Sequence, residues 1–243
     1  TDGQVWSLNP AGGELVMGHH EGSFLLSASN SRILSSEPGA WTFVTMSDEY
    51  MLGGTYTGLV LYRKEKGQWV FDRKLDGLKE SCRIMVKDED QSIWISHPYR
   101  GVYNVRWNAG NKDKIDIRFF NQENGLPTNL NNYVFQIAGK AVFATEKGVF
   151  HFDRSKDTFV PDDDFNRLLD KQHRVRYLRE DTKGNVWYVT DHEAGMLIVN
   201  DFGLKKEVRK KVIPELAGKL VGGFEFLLPI DGHNMIIGTE QGF

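Results

Sequence analysis

The sequence predicts an all-β protein, a β-propeller of about five complete four-stranded blades and a partial sixth. Three observations predict it: a glycine that recurs at a near-constant interval, a fixed order of short apolar runs around it, and few helix signals. Six runs end on that glycine: LVMGHHEG (15–22), MLGGTYTG (51–58), IWISHPYRG (93–101), VFATEKG (142–148), VWYVTDHEAG (186–195) and MIIGTEQG (235–242). Gly22, Gly58, Gly101, Gly148, Gly195 and Gly242 are 36, 43, 47, 47 and 47 residues apart. A period of about 40–50 residues with several short strands per repeat is the propeller signature.

Within each repeat the elements follow in order. A first strand reads Val5-Trp6-Ser7-Leu8, Arg83-Ile84-Met85-Val86, Tyr133-Val134-Phe135-Gln136-Ile137, Val175-Arg176-Tyr177-Leu178 and Phe224-Glu225-Phe226-Leu227. A polar turn follows, as in Asp88-Glu89-Asp90-Gln91-Ser92, Asp181-Thr182-Lys183-Gly184-Asn185 and Asp231-Gly232-His233-Asn234. Asp, Asn and Gly suit such turns because they tolerate positive φ or bond their own backbone. The glycine-terminated run is the second strand. A third follows at once, as in Leu59-Val60-Leu61-Tyr62 or Val149-Phe150-His151-Phe152, and a more polar fourth closes the unit, as in Gln68-Trp69-Val70-Phe71 or Asp157-Thr158-Phe159-Val160. Inner strands are almost continuously apolar because blades pack on both faces, whereas outer strands carry Lys, Arg and Asp as a solvated edge does.

The blades start near residues 5, 43, 83, 133, 175 and 224, so 1–243 reads as one propeller region. The sixth has two strands, which leaves unpaired edges; the chain is expected to be part of a larger propeller. Asp162, Asp163 and Asp164 are placed to cap one short helix over Phe165-Asn166-Arg167-Leu168-Leu169, and another turn is expected near 214–220.

Composition excludes several functions. Among 243 residues, 30 Lys+Arg stand against 33 Asp+Glu, a net charge of −3, so there is no basic footprint and no direct nucleic-acid contact is expected. No apolar run approaches the roughly 20 residues of a membrane helix. Cys82 is the one cysteine, which removes intrachain disulfides and Cys-based zinc sites; it is expected to be buried and inert. The Gly53–Gly58 stretch lacks the Lys-Ser/Thr pair of a phosphate loop, and neither HExxH nor GxSxG occurs. The reading is non-catalytic, with no metal and no cofactor. His19 and His20 are strand neighbours that point to opposite faces, a poor arrangement for one metal. Asp162–Asp164 read as a helix cap rather than a glycosidase pair, and the Asp181 turn as a structural hairpin. Lys205, Lys206, Arg209, Lys210 and Lys211 read as a solvated outer strand or loop, and 124–132 as an interblade connection.

The loops between second and third strands of a propeller lie at one mouth of its channel. They carry His19, His20 and Glu21; Tyr56; His97, Tyr99 and Arg100; Glu146 and Lys147; Asp191, His192 and Glu193; and Glu240. The candidate ligand-binding residues are His97, Tyr99, Arg100, Asp191, His192, Glu193, His19, His20, Tyr56 and Glu146. Aromatic, basic and acidic groups around a concavity suit a polar ligand such as an oligosaccharide.

The runs Glu123-Asn124-Gly125-Leu126-Pro127-Thr128-Asn129, Ala141-Val142-Phe143-Ala144-Thr145-Glu146-Lys147-Gly148-Val149-Phe150 and Glu180-Asp181-Thr182-Lys183-Gly184-Asn185-Val186-Trp187 resemble the two-component-regulator propeller repeats of Bacteroidetes sensor proteins. In that family the propeller is followed by a triple-tyrosine β-sandwich, a membrane helix and a helix-turn-helix or hybrid histidine kinase output. The resemblance covers essentially the whole chain. It implies a periplasmic sensor region anchored in the inner membrane, tied to polysaccharide utilisation and signalling as a dimer. No sandwich, membrane helix or complete ring is read here, and no binding residue carries over position by position. Two other readings stay open: a propeller-fold polysaccharide lyase or glycoside hydrolase, and a protein-interaction platform.

Overall fold

The computed structural model describes residues 3–242 except 109, 170–171, 203–204, 224, 232–233 and 240–241. The short apolar runs become antiparallel strands joined by tight turns. The first blade is β1 (Val5–Ala11), β2 (Glu14–His19), β3 (Gly22–Leu26) and β4 (Ser31–Ser35). The second is β5 (Thr42–Thr45), β6 (Tyr50–Thr55), β7 (Gly58–Glu65) and β8 (Gln68–Leu75). The third is β9 (Ile84–Lys87), β10 (Ile93–His97), β11 (Gly101–Asn108) and β12 (Asn111–Phe120). The fourth is β13 (Tyr133–Ile137), β14 (Lys140–Thr145), β15 (Gly148–Asp153) and β16 (Thr158–Pro161), followed by helix α1 (Asp163–Leu169). The fifth is β17 (Val175–Glu180), β18 (Val186–Thr190), β19 (Ala194–Phe202) and β20 (Lys205–Val212), and β21 (Phe226–Pro229) pairs with β22 (Met235–Gly238). Each blade is a meander in which successive strands are neighbours. This is the β-propeller fold. The expected blade start at Phe224 and the mouth residue Glu240 lie outside the described residues.

The chain forms two compact units, one of residues 1–97 and 102–120, the other of 98–101 and 121–243. In the first, the alternation of β6 and β7 decides the packing. Met51 pairs with Tyr62 and Leu52 with Leu61, so successive residues turn to opposite faces. Met51, Val60 and Tyr62 join Val16, Leu34 and Trp69 against the first blade, while Leu52, Leu59 and Leu61 join Met85, Ile93 and Val105 against the third. Both faces are buried, which is why these strands carry no polar alternation. Tyr62 and Trp69 carry their polar atoms into this core with partners: the Tyr62 and Ser23 hydroxyls are 2.8 Å apart, and burial pushes the Tyr62 phenol up to about 12. The Trp69 indole N–H donates to the Ala11 carbonyl at 3.0 Å.

In the second unit, Val142, Val149, Val175, Leu178, Tyr188 and Leu197 form the core between the fourth and fifth blades, closed by Leu169 of α1. The Asp162 carboxylate caps α1 by accepting the Phe165 N–H at 3.2 Å. The buried Asn166 amide then bonds both the N–H and the C=O of Val149, each at 2.8 Å. One side chain thus docks the helix on β15. Arg176 of β17 donates through Nε to Glu225 at 2.6 Å, and the Glu225 side chain is 4% exposed. That buried ion pair ties the fifth blade to the segment entering β21.

The aspartate turns are structural, and two share one geometry. Between β17 and β18, Asp181 accepts the Lys183 and Asn185 N–H groups, the Asn185 amide at 3.0 Å and the Trp187 indole at 3.3 Å. Between β9 and β10, Asp88 accepts the Glu89 N–H and the Trp94 indole at 3.0 Å. At Asp181, burial alone would raise the carboxyl, but bonds from Asn185, Lys183 and Trp187 outweigh it and hold the group below the usual carboxylate range.

The second-to-third-strand turns have a common closure. Thr55, Thr145 and Thr190 each donate from Oγ1 to a carbonyl three residues on, those of Gly58, Gly148 and Glu193. Each also accepts the N–H two residues on. The structural counterpart of Gly58 in the fifth blade is therefore Glu193, not Gly195. The sequence interval ending at Gly195 counts the repeat two residues late, because β19 already begins at Ala194.

Candidate functional site

Each second-to-third-strand turn is held against the segment that enters the next blade. In the first unit, Gly39 N–H bonds His20 O at 2.7 Å, Ala40 N–H bonds His19 O at 3.1 Å, and Trp41 N–H bonds Gly54 O at 2.8 Å. Tyr56 N–H bonds Pro38 O at 3.3 Å and Cys82 N–H bonds Thr55 O at 2.9 Å. These bonds bring His20 and Tyr56, 36 residues apart, into contact: Nδ1 of His20 lies 2.9 Å from the Tyr56 hydroxyl. Tyr56 stands edge-on to Trp41 at 5.5 Å between centroids, Trp41 meets Trp6 at 4.1 Å, and the Arg83 guanidinium lies 4.8 Å over Trp41. The result is an aromatic cluster with a cation on one face.

The cluster has unspent donors. The indole Nε1 atoms of Trp6 and Trp41 are buried and have no hydrogen-bond partner, as is His19 Nε2. His19 is fully buried, edge-on to Phe24 at 5.6 Å, and its Nδ1 accepts the Glu21 N–H at 3.1 Å. It therefore closes its turn as Thr55 closes the next, and the proton belongs on Nε2. An unpaired buried donor costs about 1–3 kcal/mol, so the two indoles of the cluster are an exception to the usual pairing of buried polar groups.

The other sequence-derived candidates divide by unit. His97 sits 3.6 Å from Glu80. Cys82, beside it in the chain order of the third blade's entry, is buried, and burial and then the Glu80 charge push its thiol far up. In the second unit Tyr99 is 73% exposed and Arg100 is exposed. Glu146 accepts the Asn131 amide at 2.9 Å. His192 meets His173 at 4.2 Å between rings, and Asp191 N–H bonds Arg174 O at 3.3 Å. Glu193 accepts the Tyr188 hydroxyl at 3.0 Å and pairs with Lys210 at 2.5 Å. Burial first, and then the Glu193 carboxylate, raise the Tyr188 phenol. The basic run lies on β20, the outer strand of the fifth blade, with Lys210 turned inward to Glu193.

Sequence reasoning missed Trp6, Trp41 and Arg83. Their signal is position: Trp41 and Arg83 are the residues just before the inner strands β5 and β9, and Trp6 is the bulged residue at the start of β1. Three concavities lie away from this cluster. One of about 870 Å³ runs along the far end of the first blade, one of about 570 Å³ lies beside Asp90 and Trp107, and one of about 160 Å³ lies between the Asp181 and Asp231 turns. Among the described residues no group of three His, Cys, Asp or Glu is placed to hold a metal ion, and no helix is long and apolar enough to cross a membrane.

Fold and cluster define a β-propeller with a polar, aromatic-lined turn end. Neither a protein-family model nor a curated protein matches the chain. Among solved structures, the extracellular domain of the hybrid two component system BT3049 of B. thetaiotaomicron is 19% identical with a TM-score of 0.63, over 95% of this chain and 31% of that one. The extracellular domain of the hybrid two component system BT4673 of the same organism is 15% identical with a TM-score of 0.57, over 99% and 37%. Virginiamycin B lyase from Staphylococcus aureus is 12% identical with a TM-score of 0.62, over 100% and 79%. The chain spans about a third of the length of the sensor ectodomains it matches. At these identities the likeness shows the fold, which extracellular domains of two-component systems share with an enzyme.

Proposed function

We propose that this chain is the non-catalytic recognition propeller of a membrane-anchored transcriptional regulator or two-component sensor, facing the periplasm and responding to a carbohydrate. One observation carries the reading: the cluster of Trp6, Trp41, Tyr56 and His20 with Arg83 beside it, whose indole N–H groups have no acceptor. A sugar offers C–H faces that lie on aromatic rings and hydroxyls that bond the exposed His20–Tyr56 pair. His97 belongs to the proposed contact set of this unit; in the other unit Tyr99, Arg100, Glu146, Asp191, His192 and Glu193 are proposed contacts in their own right. Signalling follows by population shift, the sugar favouring one arrangement of a dimeric sensor. The extracellular setting of BT3049 and BT4673 supports the location.

A thermal-shift screen against plant, host and microbial oligosaccharides tests it. A sugar at 100 times its dissociation constant adds about 2.7 kcal/mol of stability, or roughly 5–10 °C for a chain of this size. The expected result is a selective shift, with the sugar recovered intact, that Trp41→Phe and Arg83→Gln each reduce. Recovery of cleaved sugar would replace recognition by lyase or hydrolase chemistry. No shift across the panel would end the carbohydrate reading and favour a protein partner.

A further inference from the structure

At the end of the first blade opposite the His20 turn, the β1–β2 and β3–β4 turns flank a groove of about 870 Å³. Its walls are mainly apolar, formed by Pro10, Leu15, Leu25 and Leu26, and two charged residues line it, Glu14 and Arg32. Arg32 is committed: its guanidinium donates to the Trp69 carbonyl at 2.9 Å. Glu14 is not. Its Oε2 is buried and has no hydrogen-bond partner, and among the described residues no basic side chain forms an ion pair with it. Lys64 of the neighbouring blade lies 5.2 Å over the Trp69 ring.

Glu14 is half-buried, and a carboxylate oxygen held out of water without a partner carries a desolvation cost that a cation brought with its own apolar body offsets. The groove falls in the volume range of small-molecule sites, about 300–1,000 Å³. The terminal torsion of a glutamate is soft, so the carboxylate turns toward an incoming donor at little cost. We propose that this groove binds an organic cation, an amine or guanidinium on an apolar body, with the charged head on Glu14 and the body along Leu15, Leu25 and Leu26. The site is separate from the aromatic cluster and stands without the sensor reading.

The test is titration of the ¹⁵N-labelled chain with hexylammonium, followed by amide chemical shifts, with 1-hexanol and hexanoate as neutral and anionic matches. Saturable shifts at residues 13–15 and 25–32 are expected for hexylammonium, with at least tenfold weaker binding of hexanol and hexanoate. Glu14→Gln keeps the side-chain shape and is expected to weaken hexylammonium at least tenfold while leaving hexanol unchanged; an unaltered spectrum elsewhere confirms its fold. Equal binding of hexylammonium and hexanol, wild-type binding by Glu14→Gln, or no shift at these amides would each overturn the proposal.

Discussion

At the residue scale, the recurrent glycine and its threonine act as one device. Thr55 fixes the turn by bonding Gly58 O and Thr57 N–H, and Gly58 then takes φ 122°. A Cβ there would run into the Leu78 carbonyl of the strand's exit segment. Gly22 is alike: φ is 142°, and its Cβ would strike the Ser35 carbonyl. At these two repeat positions the chain passes too close for any side chain, which explains why they are glycines. Gly67 makes the comparison clean, since it has φ 83° but nothing within 4 Å of a Cβ. Gly67→Ala is expected to cost about 1–2 kcal/mol, the backbone penalty alone. Gly58→Ala is expected to cost at least about 2 kcal/mol more, since backbone atoms must move. Urea denaturation of both variants decides; equal losses would mean that the close approach contributes nothing.

At the element scale, most strands were legible because burial of both blade faces writes itself as apolar runs, as in Leu59-Val60-Leu61-Tyr62. The aspartate turns were legible for a related reason: the Asp, Asn and Trp that bond one another in the Asp181 turn all lie within seven residues. The candidate cluster was only half legible. His20 and Tyr56 sit on turns that the repeat marks, but Trp41 and Arg83 join them through contacts 15 and 42 residues along the chain, which no local pattern reports. His19 looked like its neighbour in sequence and proved to be a buried turn-closing residue. The Asp181 turn also carries a pH dependence with a definite sign. Its carboxyl titrates lower in the folded chain than the roughly 3.9 of an unfolded one. Its contribution is therefore complete above about pH 5 and disappears as pH falls through the folded value. Asp181→Asn is expected to cost about 1–3 kcal/mol at pH 7, with the gap to wild type narrowing between pH 5 and 2.5. Urea midpoints measured across that range check it; a gap that stays constant would mean that the ionised carboxylate is not what holds the turn.

At the scale of the molecule, repeat arithmetic gave the number of blades but not how their cores are grouped. Every blade shows the same apolar runs, and nothing local in Ile95 or Val142 says which neighbour it packs against. The structure groups them: Leu52 lies in the core of the second and third blades within one unit, and Leu178 in the core of the fourth and fifth within the other. Both leucines are fully buried, so truncating either to alanine is expected to cost about 2–5 kcal/mol. A cooperative opening unit is expected to follow the shared core rather than the repeat. Leu178→Ala should therefore speed amide exchange in β13–β20, leaving β5–β12 at wild-type rates, and Leu52→Ala should do the reverse. Native-state hydrogen exchange under mild urea reads both at once. Acceleration spread evenly over all blades would mean one cooperative core; acceleration confined to the mutated blade would mean that blades open singly, and either result would sink the two-unit account of stability.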